Sequence, residues 1–146
     1  MTARTLLGFD YGTKHIGVAV GQQITHTATA LETLALRHNR PDWSAITRLV
    51  AEWQPQAFLV GVPLNRDGSE NPVTRAARRF GHQLHGRYQL PVHSIDERLS
   101  SHAAADLMEN APVRKARGDV DKFAAQIILQ TWLNNELVNH HPGAHP

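Results

Sequence analysis

The sequence contains no cysteine. A disulfide scaffold, a thiolate zinc site and a cysteine nucleophile are therefore excluded. No apolar run approaches the roughly 18 residues of a membrane span. The segment behind Met1-Thr2-Ala3-Arg4-Thr5 is too short for a secretory h-region. The expectation is a cytoplasmic protein that engages no membrane. There is no internal repeat, no G-x-S-x-G elbow and no G-x-x-x-x-G-K-S/T loop, so the signatures of α/β-hydrolase and P-loop chemistry are missing. Histidine gives no strong metal pattern. His15, His82, His85, His93 and His102 are read as lying on separate elements, in surface or packing roles.

What is present is ordinary for a globular chain: 146 residues, 41% hydrophobic and 19% charged. That length suits one domain, expected over residues 1–138, with 139–146 a flexible tail of histidine, proline and glycine. A formal charge of +2 and a sequence pI near 9.4 permit nucleic-acid binding without demanding it.

Periodicity predicts a β-β-β-α-β-α-β-α-α order. Thr5 to Asp10 reads as a central strand, with Leu7 and Phe9 on one face and Leu6, Gly8 and Asp10 on the other. The turn Tyr11-Gly12-Thr13-Lys14 leads into a strand from His15 to Val20, and Thr27 to Leu34 reads as a third. Trp43, Ile46, Leu49, Val50 and Trp53 have helical spacing, and Pro55 stops that helix. Ala57 to Val62 is a short apolar run typical of a buried parallel strand. Asn71 as N-cap and Pro72 as first residue open a helix running to about Leu84. Leu90 to Ile95 is a strand, Ser100 or Ser101 caps a helix ending near Asn110, and 111–118 is a basic connector. Asp119 is expected to cap a last helix over Val120 to Leu137. The class is α/β with a mixed sheet.

Right-handed crossovers would make the first, fourth and fifth strands parallel. Their carboxyl ends, where function gathers in open α/β sheets, deliver Asp10, then Asn65, Arg66 and Asp67, then Asp96 and Glu97. A carboxylate ending a buried strand is costly unless a cation or hydrogen-bond donors compensate; the plainer alternative for Asp10 is an Asx-turn. Asp96 and Glu97 are adjacent, so on extended backbone one faces the cleft and the other pairs outward, with Arg98 the candidate partner; a solvated ion pair is the alternative. Asp121 shares a helix face with Ala125, Ile128 and Trp132. It is placed to reach the sheet rim, or merely to favour the helix dipole. Converging acids repel unless a divalent cation holds them, and a few carboxylates with water and phosphate oxygens suit Mg²⁺ or Mn²⁺. Gly12, Thr13 and Lys14, then Asn65 and Arg66, then Arg98, then Arg114, Lys115 and Arg117 are candidate phosphate-backbone contacts. Arg75, Arg78, Arg79 and Arg87 read as an exposed helix face and its exit.

Four segments carry a resemblance. They are Leu7-Gly8-Phe9-Asp10-Tyr11-Gly12-Thr13-Lys14-His15-Ile16-Gly17-Val18-Ala19-Val20, then Val60 to Glu70, then Asp96 to Ser101, then Val120 to Gln130. In order and spacing they resemble the motifs of the YqgF/RuvX family over nearly the whole chain. The resemblance implies an RNase H-like fold with a five-stranded sheet in the order 3-2-1-4-5. It implies a nuclease that trims the 5′ end of pre-16S rRNA, with ribosomal particles as surroundings; the older inference for the family is cleavage of Holliday junctions. It carries the acidic positions over to Asp10, Glu97 and Asp121. Gly21-Gln22 stands where a Ser-Asp pair is common, Phe123 where a small or aliphatic residue is common, and His15 where arginine is common. Two other functions compete. One is a phosphate-binding ATPase of the actin and sugar-kinase class, whose first hairpin also reads Asp-x-Gly-Thr but whose chains are several times longer. The other is a non-catalytic nucleic-acid or ribosome-binding module.

Overall fold

The computed structural model describes residues 4–99 and 117–139, the latter with side chains for 122–136. Strands β1 (Thr5–Tyr11), β2 (His15–Gln22) and β3 (Thr27–Ala35) form an antiparallel meander. Helix α1 (Trp43–Trp53) crosses to β4 (Ala57–Val62), and α2 (Pro72–Tyr88) crosses to β5 (Val92–Asp96). Both strands are parallel to β1 in one sheet, giving the order β3-β2-β1-β4-β5. A single 3-10 turn, Glu97–Leu99, follows β5, and α3 (Arg117–Asn139) is the last helix. The sheet order matches the expected 3-2-1-4-5, and the parallel set is the expected one.

The strand periodicity splits the core in two. Leu7, Phe9 and Tyr11 face α1 and α2 and join Phe58, Phe80, Ile46 and Leu49 in one cluster. Leu6 and Leu59 face α3 and join Ala125, Ile128, Leu129 and Leu133 in the other. Side chains on the buried stripe of α3 sit close enough to the sheet that a Cβ on Gly21 would lie 2.9 Å from Leu129 Cδ2. Glycine at that position lets the helix approach. Gln126 and Gln130 of α3 also hold the main chain of edge strand β3. Gln130 Oε1 accepts from Ala28 N at 3.0 Å, and Gln126 Nε2 donates to Ala28 O at 3.0 Å.

The ends of elements depart from expectation in three places. Helix α2 runs one turn beyond Leu84, because Tyr88 extends the buried stripe onto Phe58 (ring centroids 5.7 Å apart) before Gln89 closes the helix in the left-handed region. Strand β5 starts at Val92, not Leu90, because the chain leaves that left-handed cap and passes Pro91 first. Helix α3 starts at Arg117, so Asp119 lies inside it and is not its N-cap. Asn71 does cap α2, accepting from Thr74 N at 3.0 Å, with Pro72 first in the helix. The helix expected over 100–110 and the tail from 140 onward lie outside the described residues.

Candidate active site

The parallel strands β1, β4 and β5 end on one rim, and the acids gather there. Asp10 lies in the last turn of the pleat of β1, on the α3 face. Its register partners are Gly17 of β2 and Gly61 of β4. The carboxylate therefore stands between two positions that have no side chain. Glu97, the first residue after β5, reaches back over Gly61: a Cβ there would lie 2.6 Å from Glu97 Oε1 and 2.7 Å from Ile128 Cδ1. Gly61 is thus an opening in a row of otherwise apolar residues, filled by a carboxyl group from the neighbouring strand. The sequence carried a signal for it, a glycine interrupting the run Phe58-Leu59-Val60-Gly61-Val62, but spacing alone does not say what fills the space.

Asp10 and Glu97 meet. Glu97 donates a hydrogen bond to Asp10, and its pKa is pushed up to about 10. Burial contributes most, followed by the hydrogen bond to Asp10 and by repulsion from Asp10 and Asp96. Glu97 therefore keeps its proton at neutral pH. Asp96 turns the other way, as the alternation of β5 requires. Its oxygens take the Arg98 guanidinium (Nε to Oδ2 2.9 Å, Nη2 to Oδ2 2.6 Å), which holds its pKa below the usual carboxylate range. The division of labour expected for these adjacent acids is the one observed.

The candidate basic and polar contacts divide into groups. Gly12, Thr13 and Lys14 form the β1–β2 turn. Gly12 N donates to His15 O at 2.9 Å, and a Cβ on Gly12 would collide with that same oxygen at 2.9 Å, so the tight turn needs glycine. Thr13 and Lys14 are exposed. Asn65 and Arg66 lie in the loop after β4. Asn65 stabilises that loop, donating from Nδ2 to Ser69 Oγ and accepting from Asn71 Nδ2, both at 2.9 Å. Arg66 is exposed, and Arg98 Nη1 donates to its carbonyl at 3.2 Å. Arg98 therefore ties the loops after β4 and β5 together through Asp96 and Arg66. Asp121 occupies α3 one turn before the buried Ala125 and two turns before Ile128. The side chains of Asp121 and Arg117, and all of Arg114 and Lys115, lie outside the described residues. His82 and His85 share α2 instead of standing on separate elements. His93 packs on Trp132 with ring centroids 5.1 Å apart, and burial lowers its pKa. Among the described residues no cluster of three or more His, Cys, Asp or Glu is of a kind that could hold a metal.

The sequence model of the RuvX family, described as Holliday junction resolvase, matches residues 4–135. The chain belongs to the RuvX family. Relatives are close. A protein of Nitrosococcus oceani named "Putative pre-16S rRNA nuclease" is 49% identical over 139 residues, covering 94% of this chain and 91% of that protein. Another of the same name from Saccharophagus degradans is 47% identical over 134 residues, covering 90% and 94%. Solved structures agree on the fold of this RuvX-family chain. RuvC of T. thermophilus in complex with Holliday junction substrate matches with a TM-score of 0.55 at 16% identity, covering 92% of this chain and 96% of that one. The yeast mitochondrial Holliday junction resolvase matches with a TM-score of 0.59 at 12% identity, covering 94% and 81%. The fold is RNase H-like, and membership places this RuvX-family chain among phosphodiester-cleaving hydrolases. Among the described residues no helix is long and apolar enough to cross a membrane.

Proposed function

We propose that this chain is a divalent-metal-dependent endonuclease in which Asp10, Glu97 and Asp121 hold Mg²⁺ or Mn²⁺. The observation that carries the reading is the meeting of Asp10 and Glu97 at the rim, with the Glu97 carboxyl seated over Gly61. Two half-buried carboxyl groups held together call for a positive charge between them, and a divalent cation can supply it. The donor set is oxygen only, which suits a hard cation. When bound, such a cation lowers the pKa of a water and stabilises the leaving oxygen of a phosphodiester. Asp10 and Glu97 would supply the fixed negative oxygens from β1 and from the turn after β5. Asp121 would approach from the first turns of α3. Arg98 acts as a positioning residue, joining the two rim loops. Lys14 and Arg66, both exposed at that rim, would hold backbone phosphates, with Gly12, Thr13 and Asn65 shaping the same edge and Arg114, Lys115 and Arg117 adding charge before Asp121.

The names of the closely similar relatives support pre-16S rRNA as the substrate, and the motif resemblance points to trimming at its 5′ end. That reading makes the cytoplasm and pre-ribosomal particles its setting, and residues 1–138 its catalytic domain. The family description supports a second reading, cleavage of four-way DNA junctions. One assay tests both. Purified protein is incubated with Mg²⁺ or Mn²⁺ on a pre-16S rRNA fragment and on a four-way DNA junction. Cleavage of the RNA that disappears on chelation and in Asp10→Asn is the expected result. Junction cleavage alone selects the second reading. Undiminished cleavage by well-folded Asp10→Asn refutes the assignment of the site.

A further inference from the structure

The arginines of α2 are exposed, as expected, but they differ in their partners. Arg78 pairs with Glu70 (Nε to Oε2 3.1 Å), and Arg87 lies over the Trp43 ring at 4.1 Å. Elsewhere Arg48 pairs with Glu32, Arg98 with Asp96, and Arg4 with Glu136. Arg75 and Arg79 are different. Four residues apart on α2, they face a cavity of about 380 Å³ whose other walls include Tyr11, Gly12, Thr13 and Asn39. No carboxylate lines it, and neither arginine makes an ion pair among the described residues.

The surroundings add charge of the same sign. Asn39 reaches the cavity from a tight turn in which Arg37 and Arg40 pair through their backbones (Arg40 N to Arg37 O 2.9 Å). His38 and Asn39 hold that turn in the left-handed region, with φ of 53° and 62°. Arg37 and Arg40 are exposed, and they too make no ion pair among the described residues. Leu36 N donates to Lys14 O at 2.8 Å, which brings the β1–β2 turn alongside. Cations gathered without counter-charge repel one another, and that cost is recovered when an anion occupies the space between them. At the start of α2, Pro72 has no N–H and Thr74 N already donates to Asn71. The charged donors for an anion are the guanidinium groups of Arg75 and Arg79, which suit phosphate oxygens.

Position gives the anion its identity. Tyr11 and Asp10 are neighbours on β1, and alternation points them to opposite faces of the sheet. The cavity begins where the strand carrying Asp10 ends, on the α1/α2 side. We propose that this cavity is a phosphate seat, with Arg75 and Arg79 as its donors, that holds the sugar–phosphate backbone of a nucleic-acid substrate away from the point of cleavage. The proposal deepens the nuclease reading, on which it rests. It adds a contact on the far face of the sheet from the carboxylates, so the substrate must lap over the rim of β1.

The test measures binding in a non-cleaving background, so it reads out whether or not the wild-type chain cuts. Asp10→Asn full-length protein is titrated with fluorescein-labelled RNA and DNA strands of about 20 nucleotides, over a range of KCl. Adding Arg75→Gln and Arg79→Gln should weaken binding at least tenfold. It should also reduce the slope of log Kd against log salt by about 1 to 2, the value for one or two lost phosphate contacts. Adding Arg78→Gln and Arg87→Gln instead, which removes the same charge from engaged arginines on the same helix, should change affinity less than twofold. Loss on RNA, on DNA or on both supports the seat. Affinity and slope unchanged on both strands, or an equal loss in the two double variants at equal melting temperature, overturns it. In the cleaving protein the Arg75 and Arg79 changes should raise KM and leave kcat in place. If the wild-type chain cuts neither substrate the nuclease reading fails, while the binding comparison still decides the seat.

Discussion

On one face of the sheet Phe9, Phe58 and Phe80 fill the space under α1 and α2, with Phe9 meeting Phe80 edge-on at 5.2 Å and Trp43 stacking on Phe80 at 5.5 Å. On the other face the corresponding volume is withheld. Gly8, Gly21 and Gly61 have no side chain, α3 settles close, and the acids share what is left. The first face buries large surfaces and gains the free energy that follows from apolar burial. The second gives up some of that gain to bring two carboxyl groups together partly out of water. The difference teaches that stability and chemistry are divided between sides of the same strands, so that a residue and its neighbour on β1 serve separate ends.

Substitutions on each side should separate these effects. The largest concerns rate. Glu97→Gln should lower cleavage by about 10³-fold or more, comparable to losing a principal electrostatic group at a transition state, while the chain melts normally in single-turnover-matched buffer by circular dichroism. Next, Phe80→Ala on the aromatic face should cost about 3–5 kcal/mol in denaturant unfolding, with kcat of the surviving folded protein unchanged at low temperature. Both faces failing together in either variant would break the division. Gly61→Ala is intermediate. Its methyl group meets Glu97 Oε1 and Ile128 Cδ1, so overpacking of about 1–3 kcal/mol is expected, and activity should fall further than that destabilisation explains.

The last effect is pH-dependent. The fold holds the Glu97 proton more tightly than the unfolded chain does, whose value is 4.5. The stability this confers is complete below pH 4.5 and is lost as pH rises toward about 10. Melting in chelator should therefore fall gradually across that window. Glu97→Gln, with no proton to lose, should show a flatter profile. Mn²⁺ added at pH 8 should raise the melting temperature of the wild-type chain more than that of the variant.

Much of this was legible in the sequence, for reasons that can be stated. Alternation put Leu7 and Phe9 opposite Leu6 and Gly8, and the two crossovers fixed which strand ends share a rim. From that, Asp10 and one of the adjacent acids Asp96 and Glu97 could be assigned to one place, and the family resemblance chose Glu97. Three things were less accessible. The extent of α2 depended on Tyr88 finding Phe58, a tertiary contact. Gly61 could be seen as unusual, but its reason, a carboxyl group arriving from the next strand, exists only in the folded sheet. Arg75, Arg78, Arg79 and Arg87 look alike in one dimension, and only their partners distinguish Arg78 and Arg87 from Arg75 and Arg79.

The grip of Gln126 and Gln130 on Ala28 has a consequence for how α3 tolerates change. Main-chain groups keep their chemistry whatever residue occupies position 28, so the two amides act as a detent for the helix. A slip of one residue would rotate everything on α3 by about 100°, swinging Ile128 and Leu129 away from the sheet. Drift among the outward residues of α3 can thus proceed freely, while its angular setting against the sheet stays locked.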